Sequence, residues 1–226
     1  MQRNRCLTND EESKLRRVMS RRADLFGRRD YAWFRLLLTT GARITEFSLL
    51  TVGDARMALK TKKLFIPAKN RKGQYADLTA HVRGEARDAM SDLLAVCAEM
   101  TEMPPAQLPD EYPLVLSRKH RGMSVRAYQQ RMKVWASEAG VDAAISPHWL
   151  RHTLAMAYVE GSESASPLGT MVRLAGILGH KNPNSCLAYL SMSRTGVGDE
   201  LERIFPSRKT LRRRDVRKVY QERMGA

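Results

Sequence analysis

Tyr31-Ala32-Trp33-Phe34-Arg35-Leu36-Leu37-Leu38 is apolar on nearly every face, and three residues later comes Gly41-Ala42-Arg43-Ile44-Thr45-Glu46. A helix that is apolar all round belongs inside a core, and a glycine just past its last turn supplies the stop. The run from Arg43 to Leu50 then reads as a short helix with Ile44, Phe47 and Leu50 on the core side. That spacing leaves Arg43 and Glu46 together on the opposite edge. The central helix thus delivers a cation and a carboxylate to one rim of the core.

The flanking sequence predicts a mainly α-helical chain with a small antiparallel β-sheet. Thr8 followed by Glu11 forms a capping box, and Leu15, Val18 and Met19 recur at helical spacing, so a first helix is predicted to about Leu25. Leu64-Phe65-Ile66-Pro67 and Tyr75-Ala76-Asp77-Leu78-Thr79 read as short strands joined by the Lys69-Asn70-Arg71-Lys72-Gly73 turn. From Val82 to Met100 a stripe of Val82, Ala86, Ala89, Leu93 and Cys97 predicts an amphipathic helix. Pro104 to Pro113 reads as a surface loop. Ser124 caps a helix that buries Val125, Tyr128, Met132, Trp135 and Ala139. Its outer face carries Arg126, Gln130, Arg131 and Lys133, a candidate DNA surface. Helices follow from Pro147, broken at Gly161–Pro167 and at Asn182-Pro183, and the basic tail 207–226 reads as a docking helix or arm.

Composition narrows the partner. The 226-residue chain has 39 Lys and Arg against 24 Asp and Glu, a net charge of +15, which favours a polyanion through counterion release. Cys6, Cys97 and Cys186 are isolated and odd in number, which fits a reducing cytosol rather than a disulfide framework or a thiolate metal site. The polar start and the lack of a long apolar run predict neither secretion nor a membrane span. His148 and His152, one helical turn apart, suggest a zinc pair, but the glutamate of an H-E-x-x-H motif is absent and Arg151 would set a positive charge beside the metal. Phosphate is the more natural ligand, and no metal or cofactor is expected.

Taken together, Arg43 with Glu46, His148-Trp149-Leu150-Arg151-His152, Gly179-His180 and Tyr189 form an ordered set. It resembles the catalytic domain of the tyrosine recombinases, the lambda-integrase or phage integrase family, over roughly residues 8 to 206. The resemblance implies that domain's fold over residues 1–206, with 207–226 as a tail. It also implies that the preceding helical core-binding domain is missing, so the chain reads as a fragment or as one of the short recombinases of the fimbrial phase-switch type. The stretch between Arg151 and His180 is longer than the family's usual one.

What the resemblance implies for chemistry is specific. Arg43 and Arg151 would clamp the phosphate, whose non-bridging oxygens gain negative charge during attack. His148 and His180 would add hydrogen bonds, with His148 also placed to accept the phenol proton. Tyr189 would be the nucleophile and Glu46 an anchor for an arginine. The family sets a lysine general acid on the hairpin turn, which favours Lys69 and keeps Lys72 as the alternative; Arg71 and Lys72 are further candidate phosphate contacts. The implied activity is site-specific breakage and rejoining of double-stranded DNA through a 3′-phosphotyrosyl intermediate, by a tetramer on DNA, with accessory DNA-bending proteins and a cytoplasmic, nucleoid-associated setting. The alternatives are a non-catalytic DNA-binding protein of the same fold and a relaxing enzyme of the type IB topoisomerase kind.

Overall fold

The computed structural model describes residues 5–71, 77–162 and 166–192. Residues 1–191 form one compact unit. Its elements are α1 (Asn9–Ser20), α2 (Leu25–Thr40), α3 (Ile44–Phe47), α4 (Val52–Thr61), β1 (Lys63–Ile66), β2 (Leu78–His81), α5 (Glu85–Thr101), α6 (Val125–Ala139), α7 (Pro147–Gly161), α8 (Pro167–Leu178) and α9 (Leu187–Met192). The fold is mainly helical, with a two-stranded antiparallel sheet among the described residues.

Helix α2 is the axis of the core. Ala32, Trp33, Phe34, Leu36, Leu37 and Leu38 are all buried, and α1, α5 and α7 pack around them. Its start lies earlier than expected because Asp24 accepts the backbone N–H groups of Phe26 and Gly27, which satisfies donors that a helix otherwise leaves open. That cap also explains why α1 ends at Ser20 rather than near Leu25. Gly41 closes α2 at φ +62°, with its N–H on the Leu37 carbonyl, and a Cβ there would lie 2.7 Å from Leu154. Glycine is required on both counts.

Helix α4 was missed in the sequence, although Thr51 and Asp54 make a capping box at its start. It packs on β1 and α5. The sheet pairs Leu64 with Ala80 and Ile66 with Leu78 on its buried face, so alternate residues of both strands enter the core. Strand β2 starts at Leu78, later than the expected Tyr75, and residues 72–76 of the turn, Lys72 included, lie outside the described residues. Helix α5 buries the expected stripe but starts at Glu85, after Gly84 in a positive-φ conformation. The proline-rich segment is the expected surface loop, pinned at two places. Asp110 and Tyr112 accept backbone bonds from Gly53 and Val52, and Leu108 is buried with Val52, Val96 and Met100.

On α6, Tyr128, Met132 and Trp135 are buried and Arg126 and Lys133 are exposed, as the pattern predicts. Arg131 departs from it. Its Nε lies 2.5 Å from Oδ2 of Asp30, a fully buried carboxylate that also accepts from Arg29, Trp33 and Trp135. Asp30 is already paired with buried Arg29 through Oδ1, and its other oxygen draws Arg131 inward as a second cation rather than outward.

Candidate active site

The C-terminal end of α2, the N-terminal half of α7, the turn after α8 and helix α9 meet at one rim of the core, and each brings a residue of the ordered set. Arg151 lies on the buried side of α7 and is 2% exposed. Its Nη1 donates to the Gly41 carbonyl at 2.5 Å, and its Nη2 to the Leu178 carbonyl at 2.7 Å and to His180 Nε2 at 3.0 Å. These bonds join the ends of α2 and α8, the turns that precede Arg43 and His180. An arginine can only donate, so His180 Nε2 accepts and its Nδ1 carries the proton, facing Cys186 Sγ at 3.6 Å.

Glu46, on the same edge as Arg43, is fully buried. Its Oε1 accepts from Arg43 Nη1 and from Arg71 Nε, each at 3.0 Å, and its Oε2 from the Arg43 backbone N–H at 3.1 Å. Burial alone would raise the Glu46 carboxyl, but the bonds from Arg71 and Arg43 outweigh it and hold it below the usual carboxylate range. Arg71 is a correction to the surface reading. Its side chain is fully buried, with Nη2 donating to the Gly179 carbonyl at 3.0 Å, so it ties the hairpin turn to the turn that carries His180. Gly179, at φ +62°, leaves the space: a Cβ would sit 2.6 Å from Arg71 Nη2.

Lys69 stands exposed on the Ala68–Asn70 turn that leads from β1 to Arg71. His148 is exposed on the first turn of α7, and its ring meets that of His152 edge-on at 4.4 Å between centroids. Tyr189 is 5% exposed, and its hydroxyl lies 2.8 Å from Nδ1 of His152. His152 was not singled out as a site residue from the sequence. The signal was its place directly after Arg151 in the H-x-x-R-H run, read there only as half of a rejected zinc pair.

The electrostatics are those of an anion pocket. Partial desolvation of a ring that is otherwise exposed, then Arg151 and Arg43, hold the His148 imidazole below its ordinary value. Burial and the cations Arg151, Arg43 and Arg71 push His180 down to about 4. His152 is also pushed down to about 4, by burial and then by His148, Arg151 and His180. Arg151 itself falls to about 10 through burial and Arg43, and remains charged near neutrality. The Tyr189 phenol is raised by burial, partly offset by Arg151. Three neutral imidazoles beside crowded guanidinium groups suit a ligand that brings negative charge. Among the described residues no group of three His, Cys, Asp or Glu side chains is arranged to hold a metal ion.

Fold and site together define a helical domain that gathers arginines and histidines beside a buried tyrosine. The chain belongs to the phage integrase family, whose model matches residues 5–195. It is similar to tyrosine recombinase XerC 1 of Ralstonia nicotianae, 28% identical over 173 residues that cover 73% of this chain and 49% of that protein. The chain thus spans about half the length of that relative. Among solved structures it resembles the XerA recombinase, with a TM-score of 0.66, 19% identity and coverage of 90% of this chain and 65% of that one. The Tn1549 transposon integrase in complex with transposon right end DNA gives a TM-score of 0.66 at 18% identity, covering 90% of this chain and 67% of that one. These structural likenesses bear on the fold, which is that of the tyrosine recombinase catalytic domain. No helix among the described residues is long and apolar enough to cross a membrane.

Proposed function

We propose that this chain is the catalytic part of a site-specific recombinase that cuts and rejoins double-stranded DNA through a 3′-phosphotyrosyl intermediate. The observation that carries the reading is the convergence of Arg43, Arg151, His148 and His180 with the Tyr189 hydroxyl on one electropositive rim. Arg43 and Arg151 stabilise the charge that grows on the non-bridging oxygens, and His148 and His180 add hydrogen bonds to it. Tyr189 attacks phosphorus, and the 5′ oxygen leaves with a proton from Lys69 on the adjacent turn. The ester conserves the energy of the broken bond, so rejoining needs no nucleotide. Two duplexes cut on both sides require four protomers, hence a tetramer on DNA assisted by DNA-bending proteins, at work on the nucleoid in the cytoplasm.

The test is covalent trapping. A nicked suicide duplex carrying the target site should become attached to the protein, with a 3′ phosphate linked to Tyr189 by peptide mapping, and chelators should have no effect. Tyr189→Phe should abolish the adduct and keep DNA binding, since only the hydroxyl is lost. Cleavage that persists in Tyr189→Phe, or that requires a divalent metal, sinks the mechanism. Intact DNA binding without cleavage of any site points to a non-catalytic protein of the same fold.

A further inference from the structure

From the 2.8 Å contact between the Tyr189 hydroxyl and Nδ1 of His152, with both side chains 5% exposed, we infer that His152 is the base that takes the phenol proton as Tyr189 attacks. The inference rests on Tyr189 being the nucleophile and deepens that reading. A group that removes a proton in the transition state must lie within about 2.6–3.2 Å of it. His152 meets that requirement, whereas His148 is exposed on the first turn of α7 with its ring against His152. That position suits a hydrogen bond to the phosphate.

The second nitrogen completes the picture. His152 Nε2 is buried with no hydrogen-bond partner among the described residues. The base role requires the neutral tautomer that carries its proton on Nε2 and turns the Nδ1 lone pair to the hydroxyl. The charged and titratable groups acting on the ring are His148, Arg151 and His180, besides Tyr189 itself. Burial and then all three disfavour the imidazolium, and the negative charge of a phosphate held by Arg43 and Arg151 offsets them. Basicity therefore rises at the step that uses it.

The step balances. The Oη–H bond breaks and its proton passes to Nδ1; the Oη–P bond forms; the bond from phosphorus to the 5′ oxygen breaks, and that oxygen takes a proton from Lys69. The products are the 3′-phosphotyrosyl ester, a free 5′ hydroxyl, an imidazolium at 152 and a neutral lysine at 69, and rejoining runs the same transfers in reverse.

The experiment measures single-turnover adduct formation on the suicide duplex. His152→Ala should slow it by about 10²–10⁴-fold, the usual contribution of a positioned base. His152→Gln, which offers the hydroxyl an acceptor but takes no proton, should be similarly slow. Installing fluorinated, more acidic tyrosines at position 189 should shrink both deficits, because a phenol already ionised at the assay pH needs no base. Restoration by glutamine, a deficit indifferent to phenol acidity, or no deficit would each overturn the inference. Nitrogen-15 spectra of the DNA-free protein give a reading that does not depend on cleavage or on the folding of the His152 variants. They should show His152 protonated on Nε2 with an Nδ1 signal that shifts in Tyr189→Phe; a proton on Nδ1 refutes the assignment. An adduct that survives in Tyr189→Phe means instead that the nucleophile itself was misassigned.

Discussion

The contact between Arg71 and Gly179 makes a quantitative prediction. The Arg71 side chain is fully buried and gives one bond to Glu46 and one to the Gly179 carbonyl. Arg71→Ala deletes bonds from a charged group to Glu46 and to the Gly179 carbonyl, about 1.5–3 kcal/mol each, while Glu46 keeps its bonds from Arg43. The variant should therefore lose about 3–6 kcal/mol and its melting temperature should fall by roughly 6–24 °C, at about 2–4 °C per kcal/mol for a domain of this size. Gly179→Ala should cost about 1–2 kcal/mol for its left-handed backbone, and more because its Cβ would lie 2.6 and 2.8 Å from the two terminal nitrogens of Arg71. The guanidinium must move, and in moving it gives up the bonds that Arg71→Ala deletes outright. In the double variant only the backbone strain is added, so a double-mutant cycle in urea should give a coupling of about 2–3 kcal/mol. The pH dependence has a fixed sign. Glu46 is depressed in the folded state, so the stability drawn from its pairing is complete above the unfolded carboxylate value of about 4.3 and is lost as pH falls through the folded one. The Arg71→Ala deficit should accordingly shrink in acid. Additivity of the two substitutions within about 0.5 kcal/mol, or a deficit that grows in acid, would refute the clasp.

Three further predictions concern other cations. Lys69→Ala should block cleavage of ordinary DNA and spare DNA with sulfur in place of the scissile 5′ oxygen, a leaving group that needs no proton; the same rescue in Lys72→Ala alone would transfer the acid role to Lys72. Arg131→Gln should destabilise the fold by about 1.5–3 kcal/mol, the range for a bond to a charged group, and leave the salt dependence of DNA binding unchanged. Arg126→Gln and Lys133→Gln should instead flatten the log-log salt slope by about one each, and an unchanged slope removes those two from the DNA surface.

The sequence by itself determined the helical class, the buried central helix and the family, because these are written in local terms. The apolar run 31–38 cannot face water, Gly41 must end it, and arginine, histidine and tyrosine recur at spacings that chance rarely matches. The capping box of Thr51 and Asp54 at the start of α4 is local in the same way. Only the tertiary structure decided which polar group meets which. Glu46 sits one helical turn from Arg43 and was read onto an edge, yet it is fully buried because Arg71, 25 positions away, closes over it. Arg131 has the spacing of a solvent-facing residue and turns inward because the second carboxylate oxygen of Asp30, 101 positions away, accepts its Nε. The Tyr189 hydroxyl meets His152 across 37 positions. Periodicity reports whether a side chain points in or out, and a buried charge or hydroxyl is then settled by partners that the folded chain brings from far along the sequence.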